Sequence, residues 1–397
     1  MKQTIAVFFG GRSPEHDVCV ITALQAMEAL DSARYTVIPV YIAPDGRWLA
    51  GDSLRKRESY IPKPNAIGIH TVRLDLSSVK QPRLMVTKSG FFTKEEIIPF
   101  DVALLAVHGL FMEDGGLQGL LEMANVPYTG ARLLASSLFM DKIATKYLLA
   151  SLGIPCLPFA EIRRPPQGTF VDPSVIADLV KDLTPPYCVK PAHLGSSIGV
   201  GKAQTPEDIA ALLPAIFAYD PVALVEPFVP NMVEYNVAVA RFDNRLQTSA
   251  IEKPKRVEEL LNFKEKYISG GGKKMGSKLP GQSSEGMLSL TREINPPLPP
   301  ETEKNIRAWA LRAFDSVLGA GAPRIDFIGN EATGEIWFNE VNPCPGSFGY
   351  FLWEARAADP ILFSSFLDKM IEEALTLHRR MQLPAEPVPE EARLLKR

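Results

Sequence analysis

Short apolar runs rich in β-formers alternate with helical stretches along the first third of the chain. TIAVFF at 4–9 is followed by a helical pattern through ITALQAMEAL at 21–30, then TVIPVYIA at 36–43 and VALLAVH at 102–108. This rhythm predicts a parallel α/β sheet. Between Val107 and Gly130 come a Gly-rich loop (EDGGLQG), a helix (LLEMA) and the turn VPYTG, which place a boundary near residue 130. MDKIATKYLLASLGIP reads as a helix stopped at Gly153, with Pro155 two residues on. A second unit continues through a Pro-rich linker (RRPPQGTF), a helix at 173–183, the strand YCVK, a Gly/Ser loop and a helix at 205–218 ahead of ALVEPFV. The segment 263–286 breaks the pattern: it carries six glycines and no apolar period, which fits either a mobile lid or a surface loop. A helix at 301–318 and the strand pair APRIDFIG and EIWFNEVN complete a third unit, and the tail after His378 is charged and contains proline.

Composition narrows the function classes. With 397 residues the chain has room for two or three packed subdomains. Hydrophobic residues at 46% and charged ones at 22% are globular values, and 43 Lys+Arg against 46 Asp+Glu leave a net charge of −3. Neither disorder nor a nucleic-acid partner is expected. Cys19, Cys156, Cys188 and Cys344 lie far apart without a CxxC pair, and the opening MKQTIAVFFGG lacks the pattern of a signal peptide. Reduced thiols and a cytoplasmic location are the expectation. The longest apolar stretches, such as DVALLAVHGLF, fall short of the ~20 residues that cross a bilayer, so no membrane partner is expected.

The richest chemistry lies in Arg324-Ile-Asp326, a turn through GNEATG, and Glu340-Val-Asn342 on the returning strand. Strand side chains alternate with period two, so Arg324 and Asp326 share one face, as do Glu340 and Asn342. If the two faces coincide, three hard oxygen donors converge beside an arginine, a set suited to Mg²⁺ and nucleotide phosphates; a solvated hairpin with a charged face is the alternative. The following Pro343-Cys-Pro345-Gly346 is a rigid turn able to present a backbone N–H to an oxyanion. Lys190 at the end of YCV leads into Gly195-Ser196-Ser197-Ile-Gly199, small residues that let backbone N–H groups approach phosphate, or simply a turn. It is not a Walker A loop, and Phe9-Gly10-Gly11-Arg12 lacks the GxGxxG spacing of a dinucleotide fold. Ser13 as N-cap and Pro14 at the first helical position predict a helix start that puts Glu15 in the first turn. Glu15 there either complements the helix dipole or awaits a cationic ligand at the sheet mouth, where His108 ends another strand. Glu226 closes the apolar strand Leu224–Val225 ahead of Phe228-Val229, with Glu234 eight residues after Glu226; an acceptor beside apolar residues suits a base edge, and a second acid suits ribose hydroxyls.

Taken together and in this order, these stretches resemble the D-alanine–D-alanine ligases of the ATP-grasp superfamily, from Ile5 to about Trp353. GGRSPEHDV, HGLFMEDGGLQGLLEMANVPYTG, LASSLFMDKIATK, VKPAHLGSSIGV, EKY and RIDFIGN…EIWFNEVNPCPG carry the likeness. The resemblance implies an α/β and α+β molecule, an ATP-grasp fold preceded by an N-terminal parallel α/β (pre-ATP-grasp) domain. Its units would be 1–130, 131–225 and 226–380, with a lid at 252–285 and a charged tail at 381–397. It further implies ATP with two Mg²⁺ ions, Mn²⁺ being an alternative, D-alanine as substrate, and a homodimer. Lys142 and Lys190 would contact phosphates, Glu226, Phe228 and Val229 would form the adenine hinge, and Glu234 would hold the ribose. Lys266 would reach the phosphates from the lid, and Tyr267 would bond Ser196 and Glu15 to close the site. Asp326, Glu340 and Asn342 would hold the metals, Arg324 would stabilise the reacting carboxylate and phosphate, and the Gly346 N–H would serve the oxyanion. Glu15 would anchor the first substrate's amino group, with His108 nearby.

Two departures from the family pattern stand out. Cys19 replaces the usual serine after HDV, and Phe351 and Leu352 stand where the family places a Ser-Leu pair that holds and shapes the second substrate. The lid's SGGGKKMGSKLPGQ is also unusual. The expected reaction is ligation of two D-alanines through an acyl phosphate for peptidoglycan synthesis. The alternatives are a ligase joining D-alanine or another small carboxylate to a different amine, and an inactive ATP-binding relative.

Overall fold

β1 (Gln3–Gly10) is apolar at nearly every position and buried on both faces, as expected of a strand inside a sheet covered on two sides. It pairs in parallel with β2 (Tyr35–Ile42), reached through α1 (His16–Ala29). The computed structural model describes residues 2–60, 68–78, 80–87, 96–195, 198–255, 292–383 and 388–394. Beyond β2 the sheet departs from the all-parallel expectation: β3 (Trp48–Ala50), β4 (His70–Leu74), β5 (Arg83–Val86) and β6 (Glu96–Pro99) join as an antiparallel meander. These strands are only three to five residues long, and among the described residues between β3 and β4 the chain forms two single 3-10 turns, Asp52–Arg55 and Arg57–Tyr60, with no α-helix of the kind that makes a parallel crossover. β7 (Val102–Ala106) then adds in parallel on the far side of β1, giving the order β6-β5-β4-β3-β2-β1-β7.

α2 (Gly116–Met123), α3 (Leu133–Met140) and α4 (Lys142–Ser151) lead to a four-stranded antiparallel sheet ordered β10-β9-β11-β8, made of β8 (Ala160–Arg163), β9 (Tyr187–Pro191), β10 (Gly201–Ala203) and β11 (Val222–Pro227). α5 (Pro173–Val180) and α6 (Pro206–Phe217) bury Ile176, Val180, Ile209, Leu213 and Ile216 against it. The third sheet is antiparallel, ordered β14-β13-β12-β15-β16, with β12 (Met232–Phe242), β13 (Arg245–Pro254), β14 (Arg292–Ile294), β15 (Arg324–Asn330) and β16 (Ile336–Asn342). α7 (Pro300–Ser316), the short α8 (Tyr350–Glu354) and α9 (Phe363–Met381) complete the described fold.

The two faces of the first sheet bury different partners. Ala6, Phe8, Ala103 and Leu105 pack on Leu117 and Leu121 of α2. Ile5, Val7, Phe9, Val102 and Leu104 share one cluster with α1, with Ala238, Ala240 and Phe242 of β12, and with Phe366, Met370 and Ile371 of α9. The first and third sheets are thereby joined by a common core, and the loop leaving β16 is pressed between them.

Candidate active site

The hairpin expectation holds in register. Asp326 lies directly opposite Glu340, and Arg324 opposite Asn342, so the two polar faces coincide. Arg324 clamps Asp326 with two bonds of 2.7 Å, and Asn342 Nδ2 donates to Asp326 at 2.9 Å. A bulge after Asp326 re-aims the strand at this point. Asp326 and Glu340 offer carboxylate oxygens and Asn342 an amide oxygen once its amide turns, with no thiolate or imidazole among the three. This hard donor set fits Mg²⁺.

Facing the hairpin, α4 starts at Asp141, whose carboxylate accepts from the Ile143 and Ala144 N–H groups at 2.8 and 3.0 Å. The cap fixes Lys142, whose Nζ donates to the Leu194 carbonyl at 2.7 Å and lies 3.3 Å from Glu340. Lys190, at the end of β9, reaches Glu226 at 2.7 Å and Asn339 Oδ1 at 3.0 Å. Glu226 is 1% exposed and is also paired with Lys146. Burial opposes its charge, but Lys190 and Lys146 together keep its carboxyl below the usual range. Lys146 was not singled out from sequence, although it lies four residues after Lys142 and hence on the same helix face. Beyond Glu226, Phe228 is bonded to the Pro186 carbonyl, with Lys202 over its ring at 4.3 Å. Val229, Leu157 and Ile328 form an apolar patch with Met232 and Trp337, and Glu234 stands opposite Ile328 on β12.

At the other end, Glu15 is 8% exposed and departs from the sequence expectation. The helix opens at His16, not at Pro14, because the Ser13 hydroxyl takes the Glu15 N–H at 3.1 Å in a turn before it; Glu15 has φ −97° and ψ 19°. Its carboxylate instead reaches between two loops, where a methyl on Gly109 or Gly195 would come within 3.0 or 3.1 Å of Oε2. Only glycine fits Gly109, whose φ is also +76°.

The loop carrying Gly346 is tied to the first unit by a continuous chain of hydrogen bonds. Ser347 N–H donates to Thr22 Oγ1 at 3.0 Å, and the Thr22 hydroxyl donates to His108 Nε2 at 3.1 Å. His108 Nδ1–H then donates to the Cys344 carbonyl at 2.6 Å, which fixes the tautomer. Cys344 N–H and Gly109 N–H donate to Glu113 at 2.9 and 2.6 Å. Burial lowers the His108 pKa to about 4, so it is neutral at pH 7, while burial and then the charge of Glu15 push Glu113 up to about 8. Cys19 takes part through its sulfur, which accepts the His108 N–H at 3.1 Å. Ser347 and Phe348 hold φ of 50° and 57°, a left-handed pair that this network over-determines. Phe351 lies under the Arg292 guanidinium at 4.4 Å, and Leu352 is fully buried in the common core. The expected lid start at 252 is overturned, because Glu252, Lys253 and Pro254 are the end of β13, paired with β14; Ser196, Lys266, Tyr267 and the rest of the expected lid, 256–285, lie outside the described residues.

Known proteins agree with this architecture. The N-terminal D-Ala–D-Ala ligase family model matches residues 4–131 and the C-terminal one residues 148–372. The D-alanine–D-alanine ligase of Chloroherpeton thalassium is 32% identical over 389 residues, 96% of this chain and 99% of its own. That of Prosthecochloris aestuarii is 33% identical, over 94% of this chain and 97% of its own. Among solved structures, the D-alanine–D-alanine ligase of Coxiella burnetii superposes with a TM-score of 0.75 at 24% identity, covering 96% of both chains. The VanG D-Ala:D-Ser ligase of Enterococcus faecalis superposes with a TM-score of 0.73 at 24% identity, covering 94% of this chain and all of its own. With an ATP-grasp fold and both family segments in place across nearly its whole length, the chain belongs to the D-alanine–D-alanine ligase family.

Proposed function

We propose that the protein joins two D-alanines at the expense of ATP, supplying D-alanyl-D-alanine for peptidoglycan. The observation that carries the reading is the single polar face on which Asp326 and Glu340 stand directly opposed, with Lys142, Lys190 and Arg324 around them. Along that face the chemistry changes in order. The apolar patch at Val229 and Ile328 suits a base, with Glu226 and Phe228 at its hinge and Glu234 beside it for the ribose. Lys142 and Lys190 suit phosphates, and Arg324 with the Gly346 N–H suits a carboxylate under attack.

A carboxylate is a poor electrophile. In the first step its oxygen takes the γ-phosphoryl group and ADP departs; in the second an amine attacks the acyl carbon and inorganic phosphate leaves. Both steps concentrate negative charge, which the two lysines and Arg324 offset. Mg²⁺ held by Asp326, Glu340 and Asn342, as a pair of ions, would screen and orient the phosphate oxygens. Glu15, buried between two loops, would take the first substrate's ammonium group, with neutral His108 holding the neighbouring turn. Ser196, Tyr267 and Lys266 are assigned to closure by the resemblance alone.

The division 1–130, 131–225 and 226–380 is supported by the three sheets, although β11, Val222–Pro227 of the second sheet, runs across the boundary at 225. A cytoplasmic location is supported by four unpaired thiols, and among the described residues no helix is long and apolar enough to cross a membrane. A homodimer rests on the resemblance and is tested by sedimentation equilibrium. Phe351 in place of a hydroxyl supports a second reading, in which the acceptor is an amine other than D-alanine. The deciding experiment measures phosphate release from Mg²⁺-ATP with D- and L-amino acids, singly and in pairs, with mass spectrometry of the products. D-alanine alone should give D-alanyl-D-alanine; product only from mixed pairs supports the second reading, and no turnover with any pair indicates an inactive relative.

A further inference from the structure

The polar face does not end at Asp326. Strand pairing sets Asn236 of β12 opposite Asp326, and Glu252 of β13 opposite Asn236. Directly opposed residues share a face, so Glu252, Asn236, Asp326 and Glu340 form one row across four strands. Arg292 of β14 lies opposite Pro254, two residues from Glu252, and so belongs to the same face. Its Nη1 donates to Glu252 Oε2 at 2.9 Å, and Glu252, 2% exposed, also accepts from Asn236 Nδ2 at 2.9 Å. The guanidinium lies over the Phe351 ring at 4.4 Å. Two buried polar atoms of this group, Arg292 Nε and Asn236 Oδ1, have no partner among the described residues.

The other cations of this face are engaged at the reacting centre: Lys142 with Glu340, Lys190 with Glu226, and Arg324 with both oxygens of Asp326. Arg292 gives only one arm to Glu252. A guanidinium oriented by a buried carboxylate on one side and a ring beneath it keeps further N–H groups in a fixed plane, the geometry that grips a carboxylate with two bonds. An amino acid acting as nucleophile brings such a carboxylate with it. We infer that Arg292, oriented by Glu252 and stacked on Phe351, binds the carboxylate of the second amino acid. The inference rests on the ligase reading and names its acceptor subsite, in which the Phe351 ring supplies a flat support for the cation and not a hydrogen bond.

Arg292→Gln keeps a planar group over Phe351 and removes the charge, and Arg292→Lys keeps the charge and removes the fork. The first half-reaction is read by trapping the acyl phosphate from Mg²⁺-ATP and D-alanine with hydroxylamine, which needs no acceptor carboxylate. The full reaction is read with D-alanine or D-alaninamide as acceptor. For Arg292→Gln we expect hydroxamate formation within about twofold of wild type, a rise of about tenfold or more in KM for the acceptor D-alanine, and loss of the preference for D-alanine over its amide. Arg292→Lys should fall between the two. An unchanged acceptor KM and preference overturn the inference, as does an equal loss of hydroxamate and dipeptide in both variants, which would mark Arg292 as structural. Wild-type protein that forms neither hydroxamate nor dipeptide overturns the ligase reading itself.

Discussion

Glu340 is where the charges of the site meet, because it faces Asp326 across the hairpin and Lys142 at 3.3 Å across the cleft. Glu340→Gln keeps its shape and removes one of the two carboxylate charges proposed to hold Mg²⁺. We expect kcat to fall by roughly 10²–10³, with circular dichroism and Tm close to wild type; near-wild-type turnover would show that the pair does not hold the ion. His193 makes a separate prediction. It links the Asp141 cap to the loop after β9, with Nδ1 2.9 Å from Asp220 and Nε2 3.4 Å from Asp141. Its bonds to Asp141 and then Asp220 push its pKa up to about 9. An unfolded histidine titrates near ~6.5, so the stabilisation is fully present below that pH and is lost as pH rises through about 9. Melting curves between pH 6 and 10 should show wild type losing about 1–3 °C more than His193→Gln. Parallel curves would remove His193 from the account.

Among the elements, the loop after β16 depends most on distant residues. Thr22 both accepts the Ser347 N–H and donates to His108, so one hydroxyl helps hold a backbone turn that contains two left-handed residues. Thr22→Val is nearly isosteric and leaves a buried N–H and a buried ring nitrogen without partners, at a cost of about 1–3 kcal/mol. Since Thr22 lies away from the lysines, kcat should drop about tenfold while KM for ATP stays put; steady-state kinetics with ATP varied at saturating D-alanine decide it. This loop also marks where sequence reading stopped. The β15–β16 hairpin was readable because period two and a short turn fix its register locally, and the hinge strand and α4 were readable for similar local reasons. Thr22 and Glu113 meet their loop partners across 325 and 231 residues, distances at which no local period operates. The meander β3–β6 escaped because three- to five-residue strands give too few alternations to detect. The Glu15 helix start was missed by two residues because the Ser13 hydroxyl closes a turn and does not cap the helix.

At the scale of the whole molecule, the units that the sequence separates at residue 130 are not separate in their packing. α9, near the end of the described chain, lays Phe366, Leu367, Met370 and Ile371 into the same cluster as Ile5, Val7 and Phe9 of β1. Phe366 is fully buried and packs edge-on to Phe242 of β12 at 5.7 Å, with Trp353 at 6.1 Å. The proposed site needs this arrangement, since Glu15 and His108 come from the first unit and Arg324 and Gly346 from the last, and about 1 Å of relative drift between them would misalign the groups proposed to react. Phe366→Ala should therefore cost about 3–5 kcal/mol and lower one cooperative transition. Hydrogen exchange should lose protection in β1 and β12 together. A calorimetric trace that splits into two transitions, with β1 protected while β12 opens, would show that the first unit stands alone and that the shared core does not set the geometry of the site.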